Sequence, residues 1–203
     1  FAFSHERAAA ESGFMVFTSF SELTAAVTKA EKAGGGIVYV KGSSISCTAQ
    51  LALKASNANV SIIGVKNSDG TYPVLDFSAF RSAYIGKATT DSEVGIRISG
   101  SNYTIKNLII QKAPDNGIQI KGSSAGNNTI ENCIVRYNND AGVQITGGAY
   151  SNTMRFVYSY RNCDVYTLGG NADGFAQARE MYSTAVIHGK IQMTAGILTI
   201  RTA

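Results

Sequence analysis

The sequence predicts an all-β fold, a right-handed parallel β-helix closed at its N-terminal end by one helix. Three observations carry the prediction. "GIRISG", "GIQIKG" and "GVQITG" start at Gly95, Gly117 and Gly142, at intervals of 117 − 95 = 22 and 142 − 117 = 25 residues. A second family of segments runs between them: "NYTIKNLIIQ" from Asn102, "NNTIENCIVR" from Asn127 and "SNTMRFVYSY" from Ser151. Each segment is too short to bury a face alone, and repeats of this period stack into solenoids. Because strand crossovers are almost always right-handed, the tube takes that hand. An antiparallel sandwich does not require self-similar segments in register and explains the pattern less well.

In chain order, residues 1–18 read as a leader or terminal segment. The chain starts at Phe1, and Ala8 to Ala10 could be the remnant of a signal-peptidase site or simply lie near an arbitrary boundary. Residues 19–33 form the capping helix. Ser19 and Glu22 have capping-box spacing, Phe20, Leu23, Val27 and Ala30 recur at helical intervals, and Gly34 to Gly36 stop the helix. A helix in this place covers the open strand edges of the first coil. A β-branched strand follows at Ile37 to Val40, and residues 37–178 are read as β-helix coils, with nothing further helical to about residue 160. The whole chain is read as one domain, a size that accommodates one core.

Aligning the repeats assigns positions. Thr104, Thr129 and Thr153 share one slot; Ile105, Ile130 and Met154 share a second; Leu108, Cys133 and Val157 share a third. Cys133 therefore behaves as a core hydrophobe. Asn107 and Asn132 coincide, which predicts amides hydrogen-bonded from coil to coil. The three cysteines, Cys47, Cys133 and Cys163, include no C-x-x-C pair and no zinc spacing.

Composition excludes several function classes. With 44% hydrophobic and 16% charged residues the chain is neither disordered nor collagen-like, and no window of about 18 apolar residues indicates a membrane span. A formal charge of +4 tolerates a polyanion without identifying one. The histidines, His5 and His188, stand far apart, and there is no serine elbow or phosphate-binding glycine loop. Among acidic residues, Asp115 and Asp140 precede the repeated glycines as turn residues, while Asp164 and Asp173 fall in the last coil. There the interval to the next Gly-aromatic pair widens to 174 − 142 = 32, placing "VYTLGGN" directly before Asp173. An enlarged loop on a regular solenoid favours function, although aspartate is also a common turn residue.

"YSYRNCDVYTLGGNADGFA", Tyr158 to Ala176, resembles the segment of family nine polysaccharide lyases, the pectate lyases, in which "N-x-D … N-A-D-G-F-A" crosses consecutive coils. The resemblance is dense over about 20 residues, and the coil pattern from Gly95 agrees with it. Phe156 departs from it, since many relatives carry Asn followed by Cys at that point. The resemblance implies a secreted, calcium-dependent lyase that cleaves polygalacturonate by β-elimination, with neither nucleic acid nor membrane as partner. It implies that Asp173 is a Ca2+ ligand, joined by aspartates of a following "D-D-G-W-D" motif, and that a lysine further on removes the C5 proton. Carboxylate oxygens suit calcium, and the ion would acidify the proton beside a uronate carboxylate; burial or a nearby cation would lower the lysine pKa.

That second motif is missing. After Gln177 the sequence runs "AREMYSTAVIHGKIQMTAGILTIRTA", without an aspartate. Codons compatible with Arg179 to Ile200, read in the neighbouring frame, permit "GNVFDCRYSWENTDDGWDFDN"; Met181–Tyr182 must then give Val, and Met193–Thr194 must give Asp. The expectation is a frame slip near Gln177 to Arg179 that makes residues 179–203 an aberrant tail. Such a chain keeps one calcium ligand and no catalytic residue, the lysine base falling beyond its C-terminus. It is expected to be a monomer unless the uncapped end associates. Two other readings stay open: a non-catalytic β-helix that binds polysaccharide or a cell surface, and a β-helix polygalacturonase, whose Gly-His-Gly signature this sequence lacks.

Overall fold

The computed structural model describes residues 14–16, 18–163 and 173–177. The tail assigned to residues 179–203, Asp164, both histidines and most of the leader segment lie outside the described residues. Among those described, the chain winds repeatedly through three parallel sheets. The first sheet holds β1 (Phe14–Val16), β2 (Gly36–Val40), β5 (Val60–Gly64), β8 (Tyr103–Lys106), β11 (Thr129–Glu131) and β14 (Thr153–Arg155). The second holds β3 (Ser44–Ser46), β6 (Val74–Asp76), β9 (Ile109–Gln111), β12 (Ile134–Arg136) and β15 (Tyr158–Tyr160). The third holds β4 (Leu51–Leu53), β7 (Ile96–Ile98), β10 (Ile118–Lys121), β13 (Val143–Thr146) and β16 (Phe175–Gln177). From β2 onward consecutive strands enter different sheets, and every ladder is parallel, so the architecture is a parallel β-helix.

The register follows the repeats. Ile96, Ile118, Val143 and Phe175 are aligned across the third sheet. Ile105, Ile130 and Met154 are aligned across the first, with Thr104, Thr129 and Thr153 beside them. Alternate residues face inward, and the aligned isoleucines are fully buried, as is Cys133. Each such side chain contributes about 1.5–3 kcal/mol of burial.

The glycines that open the third-sheet repeats have a steric reason. A Cβ at Gly117 would lie 2.5 Å from Val135 and 2.8 Å from the Gly142 carbonyl. At Gly142 it would lie 1.9 Å from the Ser159 hydroxyl. The coil interior leaves these turns no room for a side chain.

The helix α1 (Phe20–Lys32) forms as expected, with both halves of the Ser19–Glu22 capping box in place. Leu23, Ala26, Val27 and Ala30 are buried in the core, and Phe20 packs at its margin. One polar contact fastens helix to coil: the Tyr103 hydroxyl donates to Glu31 Oε1 at 2.5 Å and accepts from Ala55 N at 2.9 Å. Burial and the Glu31 carboxylate push the Tyr103 phenol pKa upward. The strand β1, within the segment read as terminal, pairs with β2 and buries Val16 completely.

One expectation is corrected. The stretch to residue 160 does contain helix: a four-residue α2 (Ser78–Arg81) runs into a 3-10 turn at Ser82–Tyr84. Its composition, rich in Ser and Ala, lacks an apolar stripe, which is why periodicity misses it. These turns begin an arm, residues 77–95, that leaves the tube after β6 and returns at β7. Asp76 Oδ1 accepts from Ser78 N at 2.9 Å at the base of the arm. Arg81 binds it to the coil by donating to the Tyr137 carbonyl at 2.9 Å and to Asn139 Oδ1 at 2.6 Å.

Candidate functional site

Where the core side of the third sheet is apolar, alternation points the intervening residues outward. Arg97, Gln119, Gln144 and Ala176 stand in one column across four adjacent rungs. Rungs of a parallel ladder are about 4.8 Å apart, so Arg97, Gln119 and Gln144 make a track of regularly spaced polar groups suited to an extended polymer, with Ala176 on the next rung. Lys121, on the same strand as Gln119, shares its outward face.

Asp173 lies at the end of this track. It stands two residues before the start of β16, it is exposed, and its carbonyl accepts from Gly142 N at 2.9 Å. The hydrogen bond fixes the backbone of the motif beside the rung of β13 that carries Gln144. Among the described residues no group of three His, Cys, Asp or Glu side chains could hold a metal ion. Calcium takes six to eight oxygens, and the described residues alone do not complete a calcium site.

At the other end, the arm brings Asp91 over the sheet. Asp91 Oδ2 lies 2.6 Å from Lys121 Nζ and 3.1 Å from Arg97 Nη1, and Oδ1 accepts from Gln119 Nε2 at 3.0 Å. Gln119 also donates to Gln144 Oε1 at 2.6 Å, linking two rungs of the column. Partial burial alone would raise the Asp91 carboxyl pKa. The hydrogen bonds from Lys121, Gln119 and Arg97 outweigh that and hold it at about 2. The Asp91 carbonyl is held in turn by Gln50 Nε2 at 2.8 Å.

Of the residues singled out from sequence, Asp173 is exposed just ahead of β16, while Asp115 and Asp140 lie in turns before β10 and β13. Asp115 is buried and accepts from Asn116 N at 2.6 Å, as a turn residue does. Sequence reasoning missed Arg97, Gln119, Lys121 and Asp91. A signal existed for three of them: the outward positions inside "GIRISG" and "GIQIKG" carry Arg, Gln and Lys. For Asp91 there was none, because only the folded arm brings it to the sheet.

Comparison with known proteins agrees with this architecture. Residues 3–193 match the family described as "Pel9A-like, right handed beta helix region". The chain is 33% identical over 104 residues to a protein named pectate lyase L from Paenibacillus polymyxa (strain SC2), an alignment covering 50% of this chain and 21% of that protein. The chain thus spans about a fifth of that relative's length. The crystal structure of pectate lyase Pel9A superposes with a TM-score of 0.58 at 22% identity, over 80% of this chain and 44% of that one. At that identity the likeness speaks to fold alone. A putative glycosyl hydrolase from Parabacteroides merdae ATCC 43184 reaches a TM-score of only 0.32 at 11% identity, too low to bear on either fold or reaction. The stacked parallel repeats and the family match converge: this chain belongs to the Pel9A-like right-handed β-helix family.

Proposed function

We propose that this chain is a secreted pectate-lyase-type β-helix that binds polygalacturonate along the outer face of the third sheet, and that Asp173 contributes a carboxylate oxygen to a calcium-dependent β-elimination site. The observation that carries this reading is the position of Asp173: exposed, fixed by its carbonyl to Gly142, and one rung from the polar column of Gln144, Gln119 and Arg97. Cationic Arg97 and Lys121 on that face suit a polymer carrying one carboxylate per sugar. The relative named pectate lyase L supports the substrate class. The remaining calcium ligands and the proton-abstracting lysine belong outside the described residues.

The test is incubation of the chain with unesterified polygalacturonate and calcium, following ultraviolet absorbance of the unsaturated product. Lyase activity gives a rising signal that chelator abolishes and that Asp173→Asn greatly reduces. Cleavage without an unsaturated product would assign a hydrolase instead. Binding without any cleavage would assign the second reading, a non-catalytic polysaccharide-binding β-helix.

A further inference from the structure

The arm of residues 77–95 ends on the polar face rather than beside it. Three donors from two neighbouring strands converge on one Asp91 carboxylate: Arg97 from β7, and Gln119 and Lys121 from β10. Two cations face this single anion, so one positive charge of the cluster stays unmatched within it. Gln119 is only 3% exposed, yet its Oε1 is buried and accepts no hydrogen bond. Buried amide oxygens normally have a donor. An ionised carboxylate such as that of Asp91 cannot provide one, whereas a sugar hydroxyl beside a carboxylate can. The Asp91 side chain is 41% exposed, so a ligand can reach it from solvent.

We infer that Arg97, Gln119 and Lys121 form a seat for a uronate carboxylate, and that Asp91 is its built-in occupant, displaced when an acidic polysaccharide binds. This rests on the polygalacturonate reading above and adds to it a position and a gate. Asp91 presents to the seat the carboxylate that a uronate would present, and it is tethered there by the arm. Hydrogen bonds to its backbone carbonyl from Gln50 and from Arg97 Nη1 at 3.3 Å let the arm stay near the sheet while the side chain swings away. With the carboxylate replaced, the hydroxyls of the sugar come within reach of Gln119 Oε1. The arm thereby lowers the affinity of this stretch of the track and makes binding there competitive.

The experiment measures affinity of the full chain for an unesterified oligogalacturonate, with a fully methyl-esterified oligomer as control. Asp91→Ala removes the competitor, and we expect binding about three- to tenfold tighter, the size of one exposed ion-pair cluster. Asp91→Asn preserves shape and backbone contacts and tightens binding in the same direction. Arg97→Gln and Lys121→Gln each weaken it by a similar factor, and the esterified oligomer responds to none of these changes. Equal or weaker binding by both Asp91 variants overturns the inference while leaving the substrate reading intact. Tightening by Asp91→Ala but not by Asp91→Asn assigns the effect to a loosened arm and also overturns it. If no form binds oligogalacturonate, the pectic reading fails, and alginate oligomers decide the seat: tighter binding of alginate by both Asp91 variants sustains it for another uronate, and no binding of either polymer overturns both.

Discussion

Asn132 Nδ2 donates to Asn107 Oδ1 at 2.8 Å, from one coil to the next. Both residues adopt left-handed backbone, with φ of 49° and 58°, and so make the corner between the first and second sheets. The register places Phe156 next in this column, also left-handed at φ 55° and 54% exposed. Asparagine tolerates this conformation; a large aromatic residue does so at a cost of about 1–2 kcal/mol. The amide ladder therefore ends where phenylalanine interrupts it.

Replacing Phe156 by Asn should extend the ladder and relieve the backbone. The expected gain is about 1 kcal/mol, read as a rise in Tm of about 2–4 °C for a chain of this size. A lower Tm would contradict this account of the corner.

Buried asparagines should matter more than exposed ones. Asn128 Oδ1 accepts from Tyr103 N at 3.0 Å, and its Nδ2 donates to the Gly100 carbonyl at 3.1 Å and to Asn152 Oδ1 at 3.0 Å. Asn138 and Asn162 make the equivalent contact at another corner, at 2.9 Å. Asn128→Ala strands buried backbone groups and should cost about 2–4 kcal/mol in denaturant unfolding, against under about 1 kcal/mol for the half-buried Asn107→Ala.

Stability should fall in acid partly through Asp76. Burial raises its carboxyl pKa, but hydrogen bonds from Ser78, Gln111 and Lys112 outweigh burial and hold it at about 2. A pKa depressed on folding contributes stability that is present above the unfolded value near 4 and is lost as pH falls through about 2. Asp76→Asn should therefore be less stable than the parent by about 1 kcal/mol at pH 7, with the two Tm curves converging toward pH 2. A gap that persists at pH 2 would exclude ionisation as the cause.

Thiol accessibility should separate the cysteines. Cys133 is fully buried, and burial pushes its pKa up to about 12; Cys47 is buried and shifted in the same direction, with the Asp76 charge adding to the effect. Cys163 is exposed. Because the thiolate is the reactive form, native protein should consume one equivalent of thiol reagent at pH 8 and denatured protein three. Rapid native labelling of Cys133 would mean that the coil interior opens readily.

The repeats determined the fold by themselves. A two-residue alternation inside segments spaced 22 and 25 residues apart admits one economical burial scheme, in which aligned isoleucines face a shared interior. The capping box, the Cys133 slot and the Asn107–Asn132 contact followed from local pattern for the same reason. Asp173 could be singled out because its motif is local in sequence. The arm and what it does could not. Asp91 meets Arg97, Gln119 and Lys121 only because residues 77–95 fold back across strands from two coils, a contact that no periodicity encodes. The buried Asn128–Asn152 and Asn138–Asn162 ladders were likewise decided in three dimensions, since corner geometry, not residue type, determines which amide turns inward. Local pattern fixes how each coil lies on the next, and tertiary packing decides which polar groups meet across them.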